Sequence, residues 1–497
     1  VTLDPRTPVL IGVGQVSFKA PSLEAGREPA DLMVEAIGLA AADAGLSGVP
    51  NPDSIRVVKS LSWRYRDAAR AIADRLGITS REYAYTTDGG NTPQSLVNAS
   101  AGEIQRGELD LAILTGGEAW RTRMKSRADG VELAWTKQPD DVAPDRIIGE
   151  ALEMVHDAEK AIGVFMPVQV YPMFETAVRA ASGESVDDHQ VTISELWSRF
   201  SDVAATNPYA WVRDAKTAEE IRTTGPRNRM ISFPYPKLMN SNNDVDQAAA
   251  VIICSVEKAQ ALGVPSDRWV FIHSGADCHE HNFVSNRWTF ADTPAVRTGG
   301  RAALDLAGVG IDDIGIVDLY SCFPSAVQLG ARSLGLSLDR QLTRTGGLTF
   351  AGGPWNNYVM HSIATVVSQV RQSDDELGLV WGNGGYVTKH AFGIYSKRPP
   401  KDGFRHACPQ AEIDALPQRE LASPADAAAD GNATIEAYAV MYDRDNQPET
   451  AHATLLLGDG RRAWGRTADR STATAMTTGE WVGASATLAA DSTMTPA

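Results

Sequence analysis

The side chains able to carry chemistry lie mostly in the second half of the chain. Tyr320 and Cys322 stand two residues apart in Asp318-Leu-Tyr-Ser-Cys-Phe323, so an extended backbone points both to one face. The Tyr320 phenol could donate a hydrogen bond to a carbonyl or hand over a proton; it reads equally as a half-buried tyrosine at a strand end. Cys322 reads as a small core residue. Tyr358 and His361 are one helical turn apart and can face a cavity together, although a satisfied structural histidine is the simpler reading of His361. Cys278-His-Glu-His281 alternates on an extended segment and offers at most two ligands on one face, so it is read as a solvated loop, and no metal site is expected. Within Arg121-Thr-Arg-Met-Lys-Ser-Arg127, the charges of Arg121, Arg123 and Lys125 could meet phosphates, or form a solvated basic stretch.

The elements that must position these groups belong to a long chain. At 497 residues it exceeds what one core normally supports, and two or three units are expected. Hydrophobic residues at 43% and charged residues at 22% suit a globular protein. No apolar run approaches the roughly 18 residues of a membrane span, and the first residues carry no basic segment followed by a long apolar stretch; a cytoplasmic location is expected. Cys254, Cys278, Cys322 and Cys408 include no C-x-x-C pair, which indicates free thiols. A net charge of −16 opposes nucleic-acid binding and leaves room for a small anionic ligand in a local basic pocket.

Short apolar runs alternate with helical patterns from Thr7 to about Trp120, among them the strand Glu82–Thr86, the helix Thr92–Arg106 and the strand Leu109–Leu114. The rhythm recurs from about Arg268, with Ile314–Leu319 as a strand and Tyr358–Gln372 as a helix. Residues 121–242 have a different, loop-rich helical character, and the strand pattern Ala248–Cys254 then returns. The expected division is 1–120 plus 243–262, an inserted 121–242, a second half 263–397, a linker 398–432 and a terminal unit 433–497. Short strands and the Gly458-Asp-Gly460 turn mark that last unit as a small β-barrel.

Two α/β halves with an insertion in the first resemble the thiolases. Asp318–Phe323 resembles the H-D-C-F signature of the sterol-carrier type, Gly346-Gly-Leu-Thr-Phe-Ala-Gly-Gly-Pro354 the G-G-x-x-x-x-G-H-P passage, Gly382-Asn-Gly-Gly-Tyr386 the last catalytic loop, and Gly116-Gly-Glu118 the turn after a central strand. The resemblance covers roughly residues 7–396. It implies an α/β thiolase fold, layered αβαβα, and the terminal unit resembles the OB-fold companions of some thiolase-like proteins. Counting from Ile104-Gln-Arg-Gly107, the nucleophile position falls on Gly90, the G-H-P histidine on Gly353, the H-D-C-F histidine on Tyr320 and the acid/base cysteine near Gly382.

Thiolase chemistry needs a thiolate at a helix N-terminus, and none of these positions supplies one. The substitutions are expected to empty the end of the cavity while sparing the helix N-terminus at Asn91 and Thr92, whose N–H groups can hold a carbonyl or anion. CoA or an acyl-CoA is the implied ligand, with no tightly bound cofactor, and Arg121, Arg123 and Lys125 are the implied CoA-phosphate partners. Three readings stand: a CoA-ester-binding protein without thiolytic activity, an enzyme of altered chemistry such as a retro-aldolase or acyltransferase on β-hydroxy- or β-keto-acyl-CoA, and a binding module built on the barrel. A homodimer, implied by the resemblance, and a monomer are equally open. From Ala433 onward, five arginines face eight carboxylates, which opposes nucleic acid.

Overall fold

The computed structural model describes residues 3–497. The strands β1 (Pro8–Ser17), β2 (Ser54–Val57), β3 (Glu82–Thr86), β4 (Leu111–Ala119) and β5 (Arg146–Ile148) come first; β6 (Met230–Phe233) and β7 (Tyr235–Pro236) follow within the insertion. The second half adds β8 (Asp246–Ser255), β9 (Val270–His279), β10 (Ile314–Leu319), β11 (Leu377–Gly384), β12 (Lys389–Ser396) and β13 (Arg405–Ala407). Eleven of these form one sheet in the order β10-β11-β12-β9-β1-β8-β4-β2-β3-β5, with β13 beside β9.

The pairing pattern occurs twice. β1 is antiparallel to β8, β8 antiparallel to β4, and β4 parallel to β2; likewise β9 is antiparallel to β12, β12 antiparallel to β11, and β11 parallel to β10. The halves meet where Val9 and Leu10 pair with Phe271 and Val270. Every residue of β8 is buried, as its nearly continuous apolar run requires of a strand covered on both faces. The helices Thr92–Gln105 and Tyr358–Gln372 carry buried residues around most of their circumference and pack on each other and on the sheet, which places them in the central layer. Pro29–Asp43 covers the sheet over β1, β8 and β4, and Pro294–Ala307 covers it over β9 and β12.

The stretch 398–432, read above as a linker, contributes β13 to the large sheet and two short helices, Gln410–Asp414 and Pro424–Asp430. Beyond it lie β14 (Ala433–Tyr442), β15 (Pro448–Leu457), β16 (Arg462–Thr467), β17 (Ser485–Leu488) and β18 (Met494–Pro496). Their order is β16-β15-β14-β17-β18. A parallel bridge between Arg466 and Thr493 returns β16 to the start of β18, and the helix Arg470–Ala475 lies between the third and fourth strands. This order closes a small Greek-key β-barrel.

Buried Arg462 docks the barrel. It pairs with Glu436 at 2.7 Å and donates to the carbonyls of Ser285 and Arg287, while β6 of the insertion pairs with β14. Among the described residues no helix is long and apolar enough to cross a membrane.

Candidate functional site

The chain leaves β3, turns through Asp88-Gly-Gly-Asn91 and enters the central helix at Thr92, with proline just inside the first turn. The turn is fastened from three sides. Gly89 N–H donates to Asn356 Oδ1 at 3.0 Å, Thr92 Oγ1 donates to the Gly89 carbonyl at 2.8 Å, and Lys389 Nζ reaches the Asp88 carbonyl. Gly89 has φ +152°, and a Cβ on it would stand 2.5 Å from Asn91 Oδ1, so glycine is required there.

Gly90 is the position that matters most. A Cβ on it would lie 2.6 Å from the Tyr320 hydroxyl, 2.9 Å from Tyr320 Cε2 and 2.5 Å from the Asn383 carbonyl oxygen. The space expected to be empty is therefore filled by the Tyr320 ring, which replaces the missing side chain rather than looking into a void. Gly382 belongs to the same cluster, since a Cβ on it would approach Asn91 Cα to 3.1 Å. Gly353 stands apart: its neighbours are Asn243 and Leu348, and its carbonyl accepts from Asn243 Nδ2 at 2.6 Å.

Tyr320 and Tyr358 meet edge to face with centroids 5.6 Å apart. Tyr358 hydrogen-bonds Thr345 Oγ1 at 2.6 Å, and Thr345 N–H donates to the buried Asp318 carboxylate at 3.2 Å. Asp318 also accepts from Arg344 N and Ser362 Oγ, each at 2.7 Å. Burial raises both tyrosines above the ordinary phenol range, so each is a neutral phenol and not a base. Burial likewise pushes the Cys322 thiol up to about 12, which removes it as a nucleophile.

His361 shares a face with Tyr358, as their spacing predicts. The gap they line with Gln15, Tyr209, Gln247 and Gly352 is only about 10 Å³, too small for more than one water. His361 Nδ1 meets Gln15 Oε1 at 2.9 Å, its Nε2 has no partner, and burial lowers its pKa to about 3. It is a neutral core histidine facing β1, not a base facing Tyr320.

Asn91 and Thr92 line the opposite side of the turn, in a cavity of about 490 Å³ that runs along the central helix. Asn91 makes no capping side-chain hydrogen bond; the N–H groups of Thr92, Gln94 and Ser95 are taken by the carbonyls of Gly89 and Asn91, and Pro93 has none. Arg121, Arg123 and Lys125 sit on the helix Trp120–Asp129, whose Trp120 packs on Trp355 at 4.8 Å. The three charges do not converge. Arg121 pairs with Asp244 at 3.1 Å and lies over Trp211, Arg123 lies over Trp63, and Lys125 is exposed. Among the described residues no group of three or more His, Cys, Asp and Glu side chains is arranged to hold a metal ion.

Sequence reasoning missed Tyr171. Its hydroxyl donates to the Gly385 carbonyl at 2.8 Å and accepts from Asn383 Nδ2 at 3.1 Å, and its ring stacks on Phe323. It arrives from the insertion helix Pro167–Ser182, with no local signal to betray it.

Residues 410–493 match the sequence family described as the thiolase-like protein type 1 additional C-terminal domain. The crystal structure of a monomeric SCP2-thiolase like protein type 1 from Mycobacterium smegmatis superposes with a TM-score of 0.84 at 31% identity, covering 100% of both chains. The chain belongs to the SCP2-thiolase-like proteins of the thiolase superfamily. Rat sterol carrier protein 2 is 22% identical over 372 residues, 71% of this chain and 61% of the relative, so the chain spans less than two thirds of that protein. The Ltp2-ChsH2(DUF35) aldolase shares the fold, with a TM-score of 0.62 at 20% identity over 80% of this chain and 99% of the other.

Proposed function

We propose that this protein binds CoA esters through its thiolase fold and does not carry out thiolysis. The observation that supports this reading above others is the contact at Gly90: the Tyr320 hydroxyl sits 2.6 Å from where a Cβ would be, leaving neither a thiol nor room for one at the helix N-terminus. Thiolysis requires a covalent acyl-enzyme. Recognition of a thioester carbonyl requires only a donor, which the neutral Tyr320 phenol supplies. Arg121 and Lys125, four residues apart on one helix, are the proposed phosphate partners; Arg121 would exchange Asp244 for the ligand.

We read the units as 1–120 plus 243–262, the insertion 121–242, a second half 263–397 and the barrel 433–497. A monomer is the favoured assembly. β5 pairs in parallel with β3 from Ala84 to Thr86, covering the edge that thiolases of this resemblance use to pair with a twin, and the M. smegmatis relative is described as monomeric.

The second reading is retro-aldol cleavage of a β-hydroxyacyl-CoA, favoured by the Tyr320–Tyr358 pair and by the fold shared with an aldolase. Incubation with free CoA and a panel of β-keto- and β-hydroxyacyl-CoAs, with mass detection of products, tests both. The first reading expects no catalytic turnover of any thioester. Acetyl-CoA release from acetoacetyl-CoA at about 1 s⁻¹, low for an enzyme, would refute it; an aldehyde or ketone released from the hydroxyacyl substrates would establish the second.

A further inference from the structure

The cavity of about 490 Å³ beside the central helix holds a group that the site above does not use. β13 runs parallel to β9 with His406 opposite Gly275 and Ala407 opposite Ala276. A Cβ on Gly275 would strike Asn98 at 2.3 Å, so that face of β9 is turned to the helix. Strand alternation places Asp277 on the same face, and His406 and Cys408 beside it. Asp277 Oδ2 accepts from Asn98 Nδ2 at 2.7 Å and meets His406 Nε2 at 2.8 Å, and Ser95 Oγ donates to the other carboxylate oxygen.

Burial opposes a charge on His406, but hydrogen bonds to Asp277 and Cys408 outweigh it and raise its pKa to about 10. An imidazolium fixed by a carboxylate and lining the same cavity as a cysteine is an arrangement that favours attack by sulfur. Of the four cysteines Cys408 alone is exposed. All of these residues line the cavity, whose apolar wall is Leu96, Ala99, Ile148 and Leu152, and its volume lies in the range of small-molecule sites.

We propose that Cys408, His406 and Asp277 form a second reactive site in which the Cys408 thiol accepts a short acyl group from a thioester. The choice of donor rests on the CoA-ester reading, but the site itself is separate from Tyr320. The Cys408 thiol loses its proton to solvent, and its sulfur attacks the thioester carbon beside the His406 imidazolium. The bond from that carbon to the donor sulfur breaks, and the departing thiolate takes a proton from His406, which solvent restores. One thioester replaces another, and no oxidant or reductant is consumed. Asp277 is a positioning residue that orients the imidazole.

The full chain incubated with acetyl-CoA, quenched in acid and digested, is read by peptide mass spectrometry. One acetyl group on the Cys408 peptide is expected, absent in Cys408→Ser. His406→Asn slows acetylation, and alkylation of Cys408 by iodoacetamide, by about 100-fold, the low end of general acid–base effects. Asp277→Asn slows both while Asp277→Glu restores them, at unchanged melting temperature. No acetyl group on Cys408, or equal rates in wild type and His406→Asn, overturns the proposal. Calorimetry of Cys408→Ser with acetyl-CoA separates the two readings: heat retained without wild-type acetylation refutes this site alone, and acetylation without heat refutes the binding reading alone.

Discussion

Adding one methyl group at position 90 tests the interlock at the heart of the site. In Gly90→Ala the new Cβ meets the Asn383 carbonyl at 2.5 Å and the Tyr320 hydroxyl at 2.6 Å, each roughly 0.7 Å inside normal carbon–oxygen contact. Tyr320 can rotate only against Tyr358. The Asn383 carbonyl belongs to β11, which is paired with β10 and β12, so the backbone yields little. Overpacking of this kind costs about 1–3 kcal/mol, and a contact against fixed backbone places it near the upper end. With an unfolding entropy of about 2.1 cal/mol/K per residue, a cooperative chain of this length has about 1 kcal/mol/K, so the melting temperature falls by about 3 °C.

Tyr320→Ala alone leaves a cavity and costs about 3–5 kcal/mol. The double variant is expected to be less destabilised than the two singles added together by at least about 1 kcal/mol, because the methyl group then has room. Chemical denaturation of the four proteins gives the cycle. Additivity within about 0.5 kcal/mol, or a Gly90→Ala protein as stable as wild type, would refute the claim that Tyr320 fills the nucleophile position.

Three further outcomes are expected. His361, lowered from 6.5 to about 3 by burial, binds its proton more readily in the unfolded chain. Its contribution is therefore complete above pH 6.5 and is lost as pH falls toward 3, at about 1.4 kcal/mol per pH unit below pH 6; the difference in unfolding free energy between pH 7 and pH 5 should be smaller by about 2 kcal/mol in His361→Asn than in wild type, and parallel profiles would contradict it. Arg462→Met leaves Glu436 unpaired and frees the carbonyls of Ser285 and Arg287, costing about 3–5 kcal/mol; limited proteolysis should then release a fragment near residue 430, and wild-type resistance would argue against docking by Arg462. Residues 433–497, with five arginines against eight carboxylates, should leave the anisotropy of a labelled oligonucleotide unchanged at micromolar protein in low salt.

Long periodic elements were legible in the sequence. The strands Glu82–Thr86 and Ile314–Leu319 and the helix Tyr358–Gln372 have the expected bounds, because alternation or 3.6-residue spacing persists across each. β5 and β13, three residues each, are too short to carry a period; they exist because β3 and β9 offer edges to pair with. The same limit hid the site. The spacing of motifs located Gly90 and Tyr320 separately, and only the packed chain shows the phenol in the space of the missing side chain. Tyr171 and Asn383 meet across more than 200 residues, and Cys408, expected to be a free thiol, is free and lines the same cavity as His406 and Asp277, a proximity that no local pattern signals.

The central claim is that the fold retains CoA-ester recognition after losing its nucleophile. Isothermal calorimetry with CoA, acetyl-CoA and a long or steroidal acyl-CoA tests it most directly. Saturable heat is expected with at least one thioester, weakened by added salt and by Arg121→Ala as phosphate contacts require, and weakened in Tyr320→Phe, which lacks the hydroxyl donor. Absence of heat with all three ligands at millimolar concentration would contradict it.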